Sequence, residues 1–212
     1  MNDVMKTGTT TVGIICKDGI ILAADKRATA GNLIADKRAK KVNLLDENIA
    51  VTIAGTVSDA QMLIRHAQAE MRLRKFRTLQ ENRVHDIANL VARFIYSNVR
   101  NFSVIPGIAH FLLAGRDSKE IALYDLFADG SISKVQDYIS SGSGSVFAYG
   151  VLESQYKADM SIDEGVAMAI KCVNTAMKRD TASGNGIDVV KITQAGGVER
   201  VKSEEIEPVL SG

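Results

Sequence analysis

Near the start of the chain a glycine precedes three hydroxyl-bearing residues, Gly8-Thr9-Thr10-Thr11. A threonine hydroxyl is a weak nucleophile at neutral pH and needs a base to take its proton; an internal threonine has none built in. Cutting the chain between Gly8 and Thr9 would change that. Thr9 would gain a free α-amine with a reference pKa of about 7.7–8.0, close to the pH at which a proton shuttle works best. Nucleophile and base would then share one residue. Gly8 suits such a cut, because without a side chain it lets the backbone take strained conformations and lets the Thr9 hydroxyl approach the carbonyl carbon. The chemistry on offer is attack on a carbonyl, switched on by scission. By itself, however, the string is also what a threonine-rich strand start looks like. Asp25 and Lys41 by themselves would pass for one more surface ion pair.

Other chemistries find little support. His66, His85 and His110 are scattered, without the spacing of paired metal ligands, and a conventional Ser-His-Asp arrangement has no obvious histidine. Cys16 and Cys172 lie far apart inside apolar segments, so neither a disulfide framework nor a CxxC site is available, and both read as buried and inert. With 26 Lys and Arg against 25 Asp and Glu, the formal charge of +1 gives no broad attraction to nucleic acid or anionic membrane. The longest apolar runs are strand-sized, far short of the roughly 20 residues that span a bilayer. The first residues, MNDVMKTG, have neither a secretory signal's apolar stretch nor a transit peptide's Arg-rich composition. A cytoplasmic location is the expectation. At 212 residues and 46% hydrophobic, the chain has the size and composition of one globular domain.

The elements that must position Thr9 can be read from periodicity. Thr9 to Cys16 and Ile20 to Asp25 are β-rich runs around Lys17-Asp18-Gly19, a hairpin signal. Lys41 to Leu45 and Ile49 to Ala54 form a second pair around Asp46-Glu47-Asn48. Ser58 and Gln61 have capping-box spacing and open a helix running to about Gln80; a second helix runs from His85 to about Asn98, closed by Pro106-Gly107. Strands return at Ala109 to Ala114, Glu120 to Phe127 and Ile132 to Tyr138. After the Gly/Ser-rich stretch Ser140 to Ser145 come helices from Phe147 to about Tyr156 and from Ser161 to about Lys178, the latter opened by the capping-box pair Ser161 and Glu164. Ile187 to Thr193 and Val198 to Lys202 make a last hairpin. Short connections between all strand pairs exclude a doubly wound parallel sheet. The arrangement that buries every apolar face is an α+β fold, a four-layer α-β-β-α sandwich of two antiparallel sheets flanked by helices.

Several strings in this order are similar to those of the proteasome β-subunit family. They are Gly8-Thr9-Thr10-Thr11-Val12-Gly13, Asp25-Lys26-Arg27, Lys41, Ala54-Gly55, Ser141-Gly142-Ser143-Gly144-Ser145, Tyr149-Gly150-Val151-Leu152-Glu153-Ser154 and Arg179-Asp180-Thr181-Ala182-Ser183-Gly184. They span nearly the whole chain, and the eight residues before Thr9 resemble the short leaders of archaeal members. The resemblance implies an N-terminal nucleophile hydrolase fold, with residues 1–8 a propeptide removed autocatalytically and 9–212 the mature domain. It implies that Thr9 is the nucleophile of a threonine endopeptidase, with Lys41 an ammonium beside its hydroxyl and Asp25 holding that lysine. The main-chain N–H of Gly55 would face the developing oxyanion, Ser143, Asp180 and Ser183 would orient the new α-amine, and Arg27 would support the site. The first specificity pocket would be lined by Ala28, Ile53 and Val57, all uncharged, which favours cleavage after large apolar residues.

No metal or organic cofactor is implied. The implied partners are α-type subunits and further β-subunits in seven-membered rings, stacked α-β-β-α, with unfolded polypeptides supplied by an ATP-driven unfoldase docked on the α rings. Two other functions compete. A structural ring subunit that keeps its leader would have no need of Gly8, Thr9, Asp25 and Lys41 together. An amidase of another N-terminal nucleophile family would lack the later motifs such as Gly142 to Ser145. Met62, Met71, Met168 and Met177 read as core or interface filler, and Arg72 to Arg77 as the solvated side of a helix or a subunit contact.

Overall fold

The computed structural model describes residues 8–102 and 107–205. Residues 1–7 of the expected propeptide, and Pro106, lie outside the described residues.

The first hairpin, β1 (Thr11–Cys16) and β2 (Gly19–Asp25), turns on Lys17 and Asp18 as its Asp-Gly signal predicts. A short exposed hairpin, β3 (Ala28–Ala30) and β4 (Leu33–Asp36), follows, turning at Gly31. It was not expected from sequence. Then come β5 (Val42–Leu44) and β6 (Ile49–Gly55), helices α1 (Val57–Thr78) and α2 (Val84–Arg100), and strands β7 (Ala109–Arg116), β8 (Ile121–Leu126), β9 (Ile132–Lys134) and β10 (Tyr138–Ser141). Helices α3 (Ser145–Gln155) and α4 (Ile162–Met177) precede the closing hairpin of β11 (Gly186–Thr193) and β12 (Gly197–Glu205).

Two five-stranded antiparallel sheets result, one ordered β10-β1-β2-β11-β12 and the other β5-β6-β7-β8-β9. Side chains alternate strictly between two interfaces, as strand geometry requires. On β2, Ile20, Leu22 and Ala24 enter the core between the sheets, while Ile21 and Ala23 face α3 and α4. On β7, Leu112 and Ala114 point between the sheets, and Phe111 and Leu113 pack under α1 and α2. With both faces covered, the strands read as near-continuous apolar runs. The four-layer sandwich expected from the order of elements is thereby present. Phe111 is among the largest fully buried side chains, and truncating such a residue to alanine typically costs about 3–5 kcal/mol.

Two local expectations are corrected. The capping box of Ser58 and Gln61 does not form: Thr56 is the N-cap, with no side-chain cap bond, and the Ser58 hydroxyl donates to Asp59 instead. The cause lies just upstream, where Gly55 at φ +110° turns the chain out of β6 straight into the helix, two residues ahead of the expected start. By contrast Ser161 and Glu164 form the full reciprocal box at the start of α4. The run read as one strand from Ile132 to Tyr138 is two strands in different sheets. Val135 N–H still donates to Leu123 of β8, whereas the Asp137 carbonyl already accepts from Ile15 of β1, so the chain changes sheets at Gln136.

Candidate active site

The first hairpin brings Thr9 and Asp25 to one end of the sandwich, because Thr11 pairs with Ala24 and the strands run out together there. Asp25 is fully buried, and four donors converge on its carboxylate. Thr10 N–H (3.0 Å) and Lys41 Nζ (2.7 Å) donate to Oδ1. Arg27 N–H (3.0 Å) and Gly184 N–H (2.9 Å) donate to Oδ2. A buried charge is tolerated only when it is paired and hydrogen-bonded in this way. Lys41 is itself 4% exposed. Burial pushes its ammonium below the ordinary value of 10.5, and the charge and hydrogen bond of Asp25 pull it part of the way back.

Beyond Asp25, Lys41 Nζ lies 3.4 Å from the carbonyl oxygen of Gly8, and the Thr9 hydroxyl donates to that same oxygen at 2.6 Å. The carbonyl oxygen of Gly8 is thus held by the Thr9 hydroxyl and the Lys41 ammonium together. Gly8 has no space for a side chain, since a Cβ would sit 1.8 Å from that of Ala182. Its N–H donates to the Thr29 hydroxyl at 3.2 Å. Thr9 N–H donates to Ser143 Oγ at 3.2 Å. The hydroxyls of Ser143 (2.6 Å) and Ser183 (2.7 Å) both donate to Asp180 Oδ2, and Ser183 Oγ lies 2.7 Å from that of Thr10.

Gly55 ends β6 in the other sheet. Ile53 N–H donates to the Lys41 carbonyl at 3.0 Å. By strand alternation the Gly55 N–H leaves β6 on that same edge, toward Lys41 and away from β7. A Cβ on Gly55 would lie 2.2 Å from the Ile108 carbonyl oxygen, so space and φ both demand glycine. Arg27 braces the surroundings: its Nε donates to Asn185 and its Nη1 to the Thr181 carbonyl, each at 2.7 Å.

Thr9, Asp25, Lys41, Ser143, Asp180 and Ser183 therefore form one connected network, and Gly55 ends the strand whose Ile53 bonds to Lys41. The three expected pocket residues are less closely joined. Ile53 is buried against the helix-side core and Val57, 38% exposed, begins α1, the two flanking Gly55, while Ala28 opens β3 beyond Asp25. Sequence reasoning missed Thr10, Thr29 and Gly184 as members of the network, although Thr10 and Gly184 lay inside strings already singled out. It also missed a histidine. His110 Nδ1 lies 2.7 Å from Ser141 Oγ, and His110 Nε2 meets the buried carboxylate of Asp125, so a Ser-His-Asp chain does exist in the fold. Its members come from β10, β7 and β8, and no local spacing could reveal them. The two cysteines are buried as expected, their thiols pushed up to about 11 for Cys16 and about 12 for Cys172, chiefly by desolvation.

Comparison with known proteins finds similar chains over nearly the whole length. The family described as proteasome subunit matches residues 5–192. The proteasome subunit beta of Ferroglobus placidus is 45% identical over 210 residues, covering 99% of this chain and 98% of that protein. That of Methanocaldococcus sp. strain FS406-22 is 46% identical over 212 residues, covering 99% and 92%. That of Archaeoglobus profundus is 43% identical over 211 residues, covering 100% and 96%.

Proposed function

Because the chain belongs to the proteasome β-subunit family, we propose that it is a threonine endopeptidase of the proteasome core particle, made active by its own scission after Gly8. One observation carries this reading: the Thr9 hydroxyl and the Lys41 ammonium meet on the same carbonyl oxygen, that of Gly8.

In the uncut chain the nitrogen of Thr9 is an amide and cannot serve as base. Lys41, whose burial favours loss of a proton, is in its neutral amine form the adjacent group able to take the hydroxyl proton, and as the ammonium so formed it faces the Gly8 oxygen. Thr9 Oγ adds to the Gly8 carbonyl carbon, the negative charge collects on the oxygen, and the Gly55 N–H is its proposed hydrogen-bond donor. The C–N bond then breaks and its nitrogen takes a proton, leaving Gly8 as an ester on Thr9 Oγ. Water hydrolyses that ester, releasing residues 1–8 with a new carboxylate and restoring the Thr9 hydroxyl. The freed α-amine stays within reach of Ser143, where Asp180 and Ser183 fix its direction. Orientation of this kind removes rotational freedom before the reaction and lowers the barrier.

The mature site repeats the sequence of steps on peptide substrates, with the α-amine of Thr9 as proton shuttle. The uncharged Ala28, Ile53 and Val57 support cleavage after large apolar residues. Assembly follows the family: β rings stacked with α-type subunits, enclosing the sites, with unfolded polypeptide delivered through the α rings by an ATP-driven unfoldase. A cytoplasmic setting belongs to the same proposal.

The test is to assemble the chain with its α-type partner and weigh the β chain intact, beside a Thr9→Ala copy. Loss of residues 1–8 from the original but not from the variant is the expected result. Retention of the leader by both in assembled particles would replace this reading with that of a structural ring subunit. A fluorogenic peptide panel then reads the pocket: faster cleavage after Arg or Glu than after Leu, Tyr or Phe would refute the apolar preference.

A further inference from the structure

The two halves of the proposed site stand on different sheets. Thr9 leads into β1, whose sheet also carries Asp25 at the end of β2 and, through β10, the loop that begins at Gly142. Gly55 ends β6 in the other sheet. Between the sheets lies an apolar core that includes Leu22, Leu112 and Leu123. An apolar contact resists separation but has no fixed direction, whereas attack on a carbonyl needs nucleophile and oxyanion donor placed to a fraction of an ångström.

At the site end of that core three polar residues replace apolar ones. His110 shares its face of β7 with Leu112 and Ala114, and Asp125 shares its face of β8 with Leu123. His110 Nε2–H donates to Asp125, and His110 Nδ1 pairs with Ser141 Oγ of the opposite sheet at 2.7 Å. The neutral ring accepts from the Ser141 hydroxyl and the charged ring donates to it, so either form keeps both bonds. Both ends of this tie rest on the site. Ala54, the residue before Gly55, is the cross-strand partner of His110. Ser141 is the partner of Thr11, accepts from the Thr11 hydroxyl at 3.4 Å, and stands two residues before Ser143, which takes the Thr9 N–H. Asp125 and Ser141 are 2% and 5% exposed, so the bonds of this tie are shielded from water. The ring of Phe127 stacks on His110, with centroids 5.1 Å apart, and fixes its plane.

We propose that His110 is a positioning residue for the reaction, locking the sheet that carries Thr9 to the sheet that carries Gly55 through Ser141 and Asp125. The proposal rests on the functional reading above. It assigns His110 no proton of the reaction, only the distance and direction between the two halves.

The test compares His110→Leu, Ser141→Ala and His110→Gln in assembled, processed particles, with wild type and Thr9→Ala as controls. Leucine removes both bonds and alanine removes one; the amide of glutamine can still donate toward Asp125 and accept from Ser141. The first two are expected to lose about 10- to 100-fold in kcat at unchanged KM, and glutamine to restore most of the loss. If His110→Leu does not assemble, Ser141→Ala, which removes a single oxygen, decides. Active wild-type particles whose Leu and Ala variants keep full kcat, or lose melting temperature alone, would overturn this proposal and leave the functional reading standing. A glutamine variant as slow as leucine would also overturn it. Wild-type particles without Thr9-dependent cleavage would overturn both.

Discussion

Two lysine–carboxylate pairs in this molecule have the same length and opposite surroundings. Lys41 and Asp25 meet at 2.7 Å with side chains 5% and 0% exposed, and Lys75 and Glu47 meet at 2.7 Å with side chains 55% and 64% exposed. The distance says nothing about their difference. For Lys41 burial is the largest influence and pushes the ammonium down; for Lys75 the hydrogen bond to Glu47 dominates and pushes it up, with Glu47 pushed down in return. One pair makes a proton easier to move beside the Gly8 carbonyl. The other joins α1 to the turn before β6 in full contact with water, where ion pairs contribute little.

The largest test of that contrast is on turnover. Lys41→Met in assembled particles is expected to slow peptide hydrolysis by about 10²- to 10⁴-fold, the usual range for losing a proton-transfer group, whereas Lys75→Met leaves the rate unchanged. A Lys41→Met particle that hydrolyses a fluorogenic peptide at the original rate would erase the distinction.

Stability gives the next largest effect. Asp25→Asn leaves Lys41 buried without a counter-charge, and whichever way the amide turns, its NH₂ faces two donors, either Thr10 N–H with Lys41 or Arg27 N–H with Gly184 N–H. The expected loss is about 3–5 kcal/mol, read from denaturant midpoints at constant slope.

A finer test uses alkaline pH. The folded pKa of Lys41 lies below the ordinary 10.5, so between those two values the unfolded chain binds more protons and the stability attributable to Lys41 rises with pH. The folded pKa of Lys75 lies above 10.5, so its contribution is complete below that value and is lost as pH climbs through the folded one. Unfolding free energies measured over the alkaline range, with each lysine replaced by Met in turn as reference, are expected to differ from wild type with opposite slopes. Slopes of the same sign would contradict the assigned burial of Lys41. The smallest effect belongs to Glu47→Gln, expected to leave turnover intact and to shift the melting temperature no more than replicate measurements scatter.

How much of this was legible in the sequence depended on how local the signal was. The Asp-Gly turn after β1 and the Ser161–Glu164 box announced themselves because their partners lie within three residues. Ser58 and Gln61 gave the same kind of signal falsely, since the positive φ of Gly55 had already set the helix start. The β3–β4 hairpin escaped because its strands are short and outward-facing, without buried alternation to mark them. Thr9, Asp25, Lys41 and Asp180 were legible only jointly, as strings in family order. His110 and Asp125 belonged to no such string, Ser141 stood at the head of one without a role, and only the stacking of the two sheets brings the three within reach of one another.

The order of strands has a consequence for the life of the chain during synthesis. One sheet runs β5 to β9 in sequence and can form as those residues emerge. The other gathers β1 and β2 from near the start, β10 from the middle and β11 and β12 from the far end. Pairings between distant segments carry a larger loop-closure cost and form later. Ser143 lies 134 positions beyond Thr9, and Gly184 lies 159 beyond Asp25. A ribosome-bound chain therefore carries Thr9 from the outset, and the network around it closes only when residues as far along as Gly184 have arrived.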